Sequence, residues 1–490
     1  MTLTTLLTHT AGFEERTVGR ATLTPSGSPS LDTYLATRMP ERVTAPGTFY
    51  NYSNYGFALA GDVVESVSGQ PFDQSVAREI FKPLGMDHSS FAQPLPDDLA
   101  DSAATGYDLV GTRPSPAPFE YFSDPPAEAM STAAADMARF MIFQLDERPN
   151  AGRVLSARAI ADMHALHFHA SPDADFNGMV YGFNRYQRNG VWIPSKEGDI
   201  RGFSSYLALL PEQHLDYFVG ANTNNSAWMQ DIERRFVSRY FPMPPATSPI
   251  TSPSQRGSLA AFTGISVPNR FSRSTVEKLR TLTQQIEIAD VGNGQIDVRY
   301  PDGGDVRLTR VGRLAFANVY EGGVYHRIPW YEARSIQLGI AVSFALLFFN
   351  GLSLGLLPRP SRQRSDRPIP VALPVRGPCL VGLTHTLARI LCGVNLVFLV
   401  AIAVILYSAT ATQNLDYSWV TYGPPRLVYV VLCLPLVTVV LAIGIVVGIA
   451  LAGRGHAWRG AAYRYAVVVA IVQIGFIPFL VHWNLLGFHA

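Results

Sequence analysis

Two short polar groups in the chain could take part in acyl transfer. Tyr52 and Asn54 lie two residues apart, and Lys196 and Gly198 repeat that spacing far downstream. Acyl transfer through a serine needs a nucleophile, a group that takes its proton and donors for the developing oxyanion. A phenol beside a cationic lysine suits proton handling because the positive charge favours phenolate. We therefore expect Tyr52 to handle a proton, with Lys196 as its cationic partner.

The other members of the two groups suit the binding of a substrate. The amide of Asn54 can both donate and accept, so it could hold a lysine amine and a substrate amide together. Gly198 has no side chain, which lets an extended substrate approach the backbone closely. Taken alone, Tyr-Ser-Asn is also typical of a helix N-terminus, and Lys-Glu-Gly alone indicates nothing.

The pattern of apolar residues predicts helices first and antiparallel strands later. Residues 54–68 have helical spacing and are followed by Gly69 and Pro71, which are typical of a helix end. A second helix is predicted at Ala133–Asp146. Strands are predicted at Val191–Lys196, Ser204–Leu210 and Asp216–Ala221. This order predicts an α/β sandwich over residues 1–241.

Four segments carry a resemblance to a known family. They are Thr5–Phe13, Pro46–Gly56, Phe81–Met86 and Lys196–Ser205. They resemble the beta-lactamase-related serine hydrolases, which include class C beta-lactamases, D-alanyl-D-alanine carboxypeptidases and esterases built on one fold. The resemblance covers residues 1–241 and implies a beta-lactamase-like sandwich of an antiparallel sheet with helices.

The resemblance also implies roles for the site residues. Tyr52 matches the proton-transferring tyrosine, Asn54 the hydrogen-bonding asparagine and Lys196 the first residue of the Lys-Thr-Gly motif. Gly198 and Asp199 would bind substrate, with the backbone N–H of Asp199 as one oxyanion donor. Glu197 departs from the threonine of that motif, which argues against a penicillin-specific site.

The nucleophile motif of this family, Ser-x-x-Lys, is absent from the 490 residues. The three lysines, with the residue three positions before each, are Lys82 after Glu79, Lys196 after Ile193 and Lys278 after Thr275. Thr275 comes nearest to the pattern, but it follows both other motifs and falls in a different predicted domain. We therefore expect no serine acyl-enzyme from the chain as it stands, and we leave open whether it is an enzyme.

A linker and a small second domain are predicted after the sandwich. Residues 242–256 are rich in Pro and Ser, which is typical of a linker. Residues 257–333 are predicted to form a small β domain, in which Gln284–Ala289 and Gln295–Tyr300 make a hairpin around Gly292-Asn293-Gly294.

Residues 334–490 are predicted to form a transmembrane region. Four apolar stretches, near 336–357, 386–408, 427–452 and 465–486, approach or exceed the ~20 residues that a membrane-spanning helix needs. The first and third connecting loops are rich in arginine, whereas the second has only Arg426. The positive-inside rule then predicts a multi-pass protein of a bacterial inner membrane, with residues 1–335 facing the periplasm.

That orientation requires an export signal. Met1 is followed directly by globular sequence, with no basic or apolar leader pattern. One cause, a truncated reading frame, would explain the missing signal and the missing nucleophile motif together. We therefore expect both to lie upstream of Met1.

Several other classes of function are disfavoured by the sequence. The net charge of +1 argues against a nucleic-acid partner, and the cysteines lie only in or beside the apolar stretches. His164, His167 and His169 match no zinc motif, so no metal and no cofactor is expected. His9 is interpreted as structural and bonded to backbone.

Arg389 and His385 lie near one end of the second predicted span, and His482 lies near the end of the fourth. No acid or base lies in the middle of a span, which favours an anchor over a transporter.

Two functions are favoured over a third, weaker one in which the membrane part is primary and the outer domain regulates it. The first is a membrane-anchored serine hydrolase that acts on an amide, a beta-lactam or an ester, inactive in this chain for want of its nucleophile. The alternative is a non-catalytic module that binds peptidoglycan or peptides on a membrane anchor. Either way, the expected partners are the membrane and a small-molecule or peptide ligand, such as one derived from the cell wall.

Overall fold

The computed structural model divides the chain into two compact units. The first contains Met1–Arg273, Gln284–Pro329 and Asn414–Gly423, and the second contains Ser274–Thr283, Trp330–Gln413 and Pro424–Ala490. The described residues are 1–110, 113–145, 154–169, 177–224, 227–242, 263–292, 295–299, 308–310, 315–318, 324–356, 377–411, 422–423, 426–453 and 461–487. The predicted linker, apart from its first residue, lies outside them.

The first unit begins with short helices around one long one. Its helices are α1 Leu3–Leu7, α2 Leu31–Thr37, α3 Asn54–Ser68, α4 Phe72–Val76, α5 Lys82–Leu84, α6 Asp97–Ala100, α7 Pro125–Glu128, α8 Ala134–Leu145, α9 Ala157–His164 and α10 Ala227–Tyr240. The helix predicted over residues 54–68 is confirmed at both ends. The helix predicted from Ala133 is confirmed up to Leu145, and Asp146 lies outside the described residues.

A six-stranded antiparallel sheet holds the later part of this region. Its strands are β5 Phe168–His169, β6 Asn177–Val180, β7 Phe183–Arg188, β8 Val191–Ile200, β9 Phe203–Leu210 and β10 Leu215–Ala221. Each strand pairs with the next, in the order β10-β9-β8-β7-β6-β5. The three predicted strands are confirmed, and β8 extends four residues beyond Lys196, so that it includes the whole Lys-Glu-Gly group.

Helices cover both faces of this sheet. Tyr206, Ala208 and Leu210 of β9 pack with Val237 of α10, while Leu207 and Leu209 face the opposite way. The second pair packs with Met141 of α8 in the same cluster as Val180. Side chains alternate between the faces of a strand, so burial of five successive residues requires cover on both sides. The predicted α/β sandwich is thereby confirmed.

A second six-stranded antiparallel sheet lies in the same compact unit. Its strands are β11 Gly264–Pro268, β12 Ile286–Gly292, β13 Gln295–Arg299, β14 Leu308–Arg310, β15 Ala315–Asn318 and β16 Val324–Arg327. The remaining strands are β1 Ala21–Thr22, β2 Tyr107–Val110, β3 Arg113–Pro116 and β4 Tyr121–Phe122, in two small pairs. The predicted hairpin is confirmed as β12 paired with β13. Asn293, Gly294 and Tyr300 lie outside the described residues.

The second unit is dominated by four long apolar helices. They are α11 Arg334–Leu356, α12 Gly377–Ala411, α13 Arg426–Gly453 and α14 Ala461–His482. All four are long and apolar enough to cross a membrane, as the four predicted stretches require. Buried polar side chains join three of them: Asn395 donates to Gln473 at 2.6 Å, and Gln473 donates to Thr438 at 3.3 Å. Neutral hydrogen-bonding groups of this kind hold helices together in an apolar surrounding.

Candidate active site

Tyr52 is held at the entrance to the long helix α3. Ser53 is the N-cap, and its hydroxyl accepts a hydrogen bond from the Gly56 N–H at 3.1 Å. Asn54 is therefore the first helical residue, and Gly69, with φ of 66°, ends the helix in the left-handed conformation that glycine tolerates. The cap sets the direction in which Tyr52 and Asn54 leave the backbone.

The segment after α1 packs directly against Tyr52. His9 has a positive φ of 53°, and its carbonyl accepts a hydrogen bond from the Asn51 N–H at 2.7 Å. The His9 ring stacks on the Tyr52 ring, with the ring centres 4.2 Å apart. The residue was predicted to be structural and bonded to backbone. Its Nδ1 does accept a hydrogen bond from the Ser53 N–H at 3.1 Å, but its stacking on Tyr52 was not anticipated.

His9 is neutral near pH 7. Burial lowers its pKa well below the ordinary value, and the positive charges of Lys196 and Arg270 lower it further. Because Nδ1 accepts from a backbone N–H, the proton of the neutral ring lies on Nε2. The ring therefore adds no charge beside Tyr52.

Lys196 meets Tyr52 from the central strand β8. Its Nζ lies 3.3 Å from the Tyr52 hydroxyl oxygen and 5.0 Å from the centre of the ring, and it also donates to the Glu197 carbonyl at 2.7 Å. The structure thus brings together the two residues that were expected to share a proton-handling role. The contact places a positive charge beside the hydroxyl oxygen of Tyr52.

Gly198 and Asp199 continue the same strand at its exposed end. A Cβ on Gly198 would lie 2.7 Å from the Ser205 hydroxyl oxygen, so glycine leaves room beside the strand backbone at this position. The Asp199 carboxylate accepts a hydrogen bond from the Ser204 hydroxyl at 2.5 Å.

The side chain of Glu197, the residue that departs from the motif, lies on the opposite face of the sheet from that of Lys196. It pairs with Tyr206, which packs against α10, whereas Lys196 pairs with Leu207 on the α8 face. Directly opposite residues of neighbouring strands share a face. The Glu197 carboxylate therefore does not face the same way as the Lys196 ammonium.

Asn54 does not join Tyr52 and Lys196 but turns to a half-buried acidic residue, Glu128. Its Nδ2 donates to Glu128 Oε1, and Arg20 Nη1 donates to that same oxygen. Because a carboxylate can only accept, the orientation of the Asn54 amide is settled, and Oδ1 is its acceptor for any ligand. The sequence interpretation missed Glu128 and Arg20.

Asp124 lies beside Glu128 and is fully buried. Neither of its carboxylate oxygens has a hydrogen-bond partner among the described residues. Burial, together with the negative charge of Glu128, raises its pKa to about 8, although Arg20 opposes this. Asp124 is the N-cap of α7 and Glu128 is its last residue, and this spacing of one helical turn is a signal that could have led to them.

A second cation reaches Tyr52 from beyond the predicted linker. Arg270, two residues after β11, has its guanidinium carbon 4.4 Å from the centre of the Tyr52 ring. Its Nε donates to the Glu15 carboxylate at 3.1 Å. The sequence interpretation placed no site residue in this part of the chain, and nothing in the local pattern marks Arg270.

Two of the three histidines that were weighed as metal ligands have other contacts. His164 Nε2 lies 2.9 Å from Gln144 Oε1, and His167 Nε2 lies 2.7 Å from the Asp162 carbonyl oxygen. Among the described residues, the one cluster whose ligand atoms lie within 4.8 Å of one another is Asp32, Asp62 and Glu65. These carboxylates are exposed or half-buried, as acidic groups on a surface commonly are.

Comparison with known proteins decides the family of this region. Residues 1–239 match the family model described as Beta-lactamase. This part of the chain belongs to the beta-lactamase family. The beta-lactamase-like α/β fold expected from the resemblance is thereby confirmed, and Tyr52 and Lys196 lie within the matched residues.

The individual relatives of the matched region are distant. Protein flp from Staphylococcus aureus (strain N315) is 26% identical over 226 residues, which cover 46% of this chain and 44% of that protein. The chain thus spans less than half the length of this relative.

Two solved structures are similar to parts of the chain. The octameric penicillin-binding protein homologue from Pyrococcus abyssi has a TM-score of 0.41 at 18% identity, over 66% of this chain and 74% of that chain. A class C beta-lactamase from Rhodobacter sphaeroides has a TM-score of 0.39 at 21% identity, over 49% of this chain and 72% of that chain.

Proposed function

We propose that the chain is the anchored part of a serine hydrolase that transfers an acyl group from an amide, a beta-lactam or an ester. The observation that carries this proposal is the distance of 3.3 Å between Lys196 Nζ and the Tyr52 hydroxyl. Membership of residues 1–239 in the beta-lactamase family supports the reaction class.

In this proposal Tyr52 takes the proton of a serine nucleophile and returns it to the leaving group. Lys196 stabilises the phenolate between the two transfers. Asn54 presents its Oδ1 to an ammonium or a substrate N–H, since its Nδ2 is bound to Glu128. Gly198 and Asp199 line the substrate, with the Asp199 N–H as an oxyanion donor.

The nucleophile itself is proposed to come from a Ser-x-x-Lys segment that the 490 residues do not contain. Reading the gene upstream of Met1 tests this directly. An in-frame Ser-x-x-Lys preceded by an export signal would support the proposal. A stop codon in frame immediately before Met1 would overturn it.

The extended protein then allows the roles of Tyr52 and Lys196 to be tested. Reaction with a fluorescent penicillin or an activated ester is expected to fall by about 100- to 10,000-fold in Tyr52→Phe and Lys196→Met, as for the loss of a general acid–base group. Lys82→Met is the matched control, because Lys82 is exposed on α5. Equal reaction rates in all variants would contradict the assigned roles.

A second candidate is a non-catalytic binding module, favoured by the presence of Tyr52, Asn54 and Lys196 without a nucleophile motif. Incubation of the 490-residue chain with fluorescent penicillin separates the two. Covalent labelling would contradict the binding module. Reversible retention on peptidoglycan, with no labelling and no hydrolysis, would favour it.

We also propose that the four apolar helices anchor residues 1–335 in the periplasm of a bacterial inner membrane. The arginine-rich first and third loops support this orientation. In a cysteine-free variant of the full reading frame, Ser365→Cys should react with a membrane-impermeant maleimide only after cell lysis. Reaction in intact spheroplasts would reverse the orientation.

A further inference from the structure

Tyr422 lies in the stretch of chain that separates α12 from α13 in the sequence. This stretch, Asn414–Gly423, belongs to the first compact unit, whereas the helices that precede and follow it belong to the second. Within the stretch, the structure describes Tyr422 and Gly423. A tyrosine that lies between two apolar helices in the sequence is therefore part of the unit that contains the candidate active site.

The Tyr422 hydroxyl joins two charged residues of that unit. It donates a hydrogen bond to Glu120 Oε1 at 2.6 Å and accepts one from Arg201 Nη1 at 3.2 Å. Burial raises the pKa of the Tyr422 hydroxyl, so the group keeps its proton and remains a donor. Glu120 is buried, and a buried carboxylate is costly unless donors of this kind reach it.

Glu120 also holds the turn between β8 and β9. Arg201 and Gly202 form this turn, since Ile200 pairs with Phe203 across it. The backbone N–H of Arg201 donates to Glu120 Oε2 at 3.2 Å. The backbone of the turn is therefore tied to the same carboxylate that accepts from the Tyr422 hydroxyl.

These contacts form a closed ring of hydrogen bonds among Tyr422, Glu120 and Arg201. The far side of the Arg201 guanidinium is held by Asp108, whose Oδ2 lies 2.8 Å from Nε and 2.7 Å from Nη2. Hydrogen bonds in such a network strengthen one another. Loss of the Tyr422 hydroxyl would remove a donor from Glu120 and an acceptor from Arg201, and it would loosen the turn.

The turn directly follows the part of β8 that is proposed to bind substrate. Asp199, whose N–H is the proposed oxyanion donor, lies two residues before Arg201, and Gly198 lies one residue earlier. Groups that bind a reacting substrate have to be held within about 0.5 Å of the productive geometry. Support of the turn is therefore support of the site.

The Tyr422 ring packs beside the other half of the site. It contacts a small apolar cluster, against which Ile200 of β8 also packs and whose buried members are Ala21, Phe122 and Ala129. The first and last of these directly follow Arg20 and Glu128 in the sequence, and Glu128 is the residue that binds the Asn54 amide. One side chain thus supports both the end of β8 and the segments that orient Asn54.

We propose that Tyr422 is a positioning residue of the candidate active site, which fixes the end of β8 that presents Gly198 and Asp199 to the acyl donor. This rests on the proposed function, because it concerns the same site. The stretch between α12 and α13 then does more than connect two apolar helices. Ligand binding depends on a residue that lies outside the 239 residues matched by the family model.

Hydrogen exchange tests whether Tyr422 holds the turn. Tyr422→Phe keeps the ring and removes the hydroxyl. Tyr206→Phe is the matched control, since Tyr206 also donates to a buried glutamate, Glu233, at 2.8 Å. In the purified 490-residue chain in detergent, the backbone N–H groups of residues 198–203 should exchange about 10-fold faster in Tyr422→Phe, as loss of a hydrogen bond to a charged group implies. Their exchange should stay unchanged in Tyr206→Phe.

Ligand binding tests whether the turn matters for the site. Fluorescent penicillin is titrated against the same three proteins, with binding measured by fluorescence anisotropy. Its dissociation constant should rise about 10-fold in Tyr422→Phe and stay unchanged in Tyr206→Phe. Both variants lose a tyrosine–glutamate hydrogen bond and should unfold at similarly lowered urea concentrations. Unequal affinity at similar stability separates positioning from a general loss of stability.

The failures of the two proposals differ. Penicillin binding that is lost in Lys196→Met but unaffected in Tyr422→Phe would overturn the role of Tyr422 and leave the acyl-donor site intact. Unchanged exchange in Tyr422→Phe, or equally faster exchange in both tyrosine variants, would overturn that role as well. Failure of the unaltered chain to bind penicillin at millimolar concentration would overturn the acyl-donor site and the positioning role together.

Discussion

Tyr52 and Asn54 are two residues apart, but their side chains lie in regions of opposite charge. Tyr52 is contacted by Lys196 and Arg270, which we call the cationic region. Asn54 is bonded to Glu128, which lies with Asp124 and Arg20 in what we call the acidic region. The cationic region reaches the surface through Arg270, whereas Asp124 is fully buried.

This contrast shows that the N-terminus of α3 can hold two neighbouring side chains, those of Tyr52 and Asn54, in surroundings of different charge. An exposed cation gains little by pairing within the protein and is available to a ligand. A buried carboxylate must be paired or protonated, so its neighbours are held rigidly. We infer that the acidic region orients Asn54 and that the cationic region binds the ligand. Changes in the acidic region should therefore alter stability first, and changes in the cationic region should alter binding first.

The largest expected effect comes from the cation of the acidic region. Arg20→Met would leave the half-buried Glu128 and the buried Asp124 without their positive partner and should lower the free energy of unfolding by about 3–5 kcal/mol. Urea denaturation of the detergent-solubilised chain measures this. The control Arg235→Met breaks an exposed pair with Asp231 and should leave the free energy of unfolding nearly unchanged. Similar costs for both variants would remove the distinction between buried and exposed pairs.

The next effect tests the contact between α3 and α7, which brings Glu128 to Asn54. A Cβ on Gly61 would lie 2.3 Å from Pro126 Cγ, so Gly61→Ala should push the helices apart and cost about 1–3 kcal/mol. Gly56→Ala is the control on the same helix, since its Cβ would meet nothing closer than 3.6 Å and should be neutral or stabilising. Thermal unfolding of the two variants measures the difference. A stabilising Gly61→Ala would contradict the close packing.

The acidic region should also make stability depend on pH. Burial, reinforced by Glu128, raises the folded pKa of Asp124 to about 8 from an ordinary value of 3.8, so between these values the folded state binds more protons than the unfolded state. Stability from this group should therefore fall as the pH rises through that window, by about 1.4 kcal/mol per pH unit where it alone titrates.

The variant Asp124→Asn isolates this group from the charges that face it, which are Glu128, Arg20, Glu15 and Tyr34. Denaturation curves measured across the window should lose most of their pH dependence in the variant. An unchanged slope would show that Asp124 is ionised in the folded protein.

The smallest effect concerns the cap that separates the two regions. Ser53→Ala would remove the hydrogen bond to the Gly56 N–H and should destabilise the chain by about 1 kcal/mol. Ser53→Asp, which can cap in the same way, should recover most of that loss. Chemical denaturation of both variants is sufficient, and failure of the aspartate to rescue would argue against capping as the cause.

The sequence by itself determined the parts of the protein that follow from local pattern. Helical spacing and the terminal glycine placed α3 to the residue, and uninterrupted apolar runs located the four long helices. Short motifs with their neighbours identified Tyr52 and Lys196, because the chemistry of a site restricts residue types at fixed spacing. The beta-lactamase family membership of residues 1–239 was readable from the same segments.

Only the tertiary structure decided which charged groups surround those motifs. Arg270 is separated from Glu15 by more than half of the chain, and Glu128 reaches Asn54 only because Gly61 lets α7 approach α3. Such pairs leave no periodic signal, since each partner sits in an ordinary local sequence. The positions of these residues depend on how whole helices and strands pack. Burial then strengthens the interaction between the charges and shifts their pKa values.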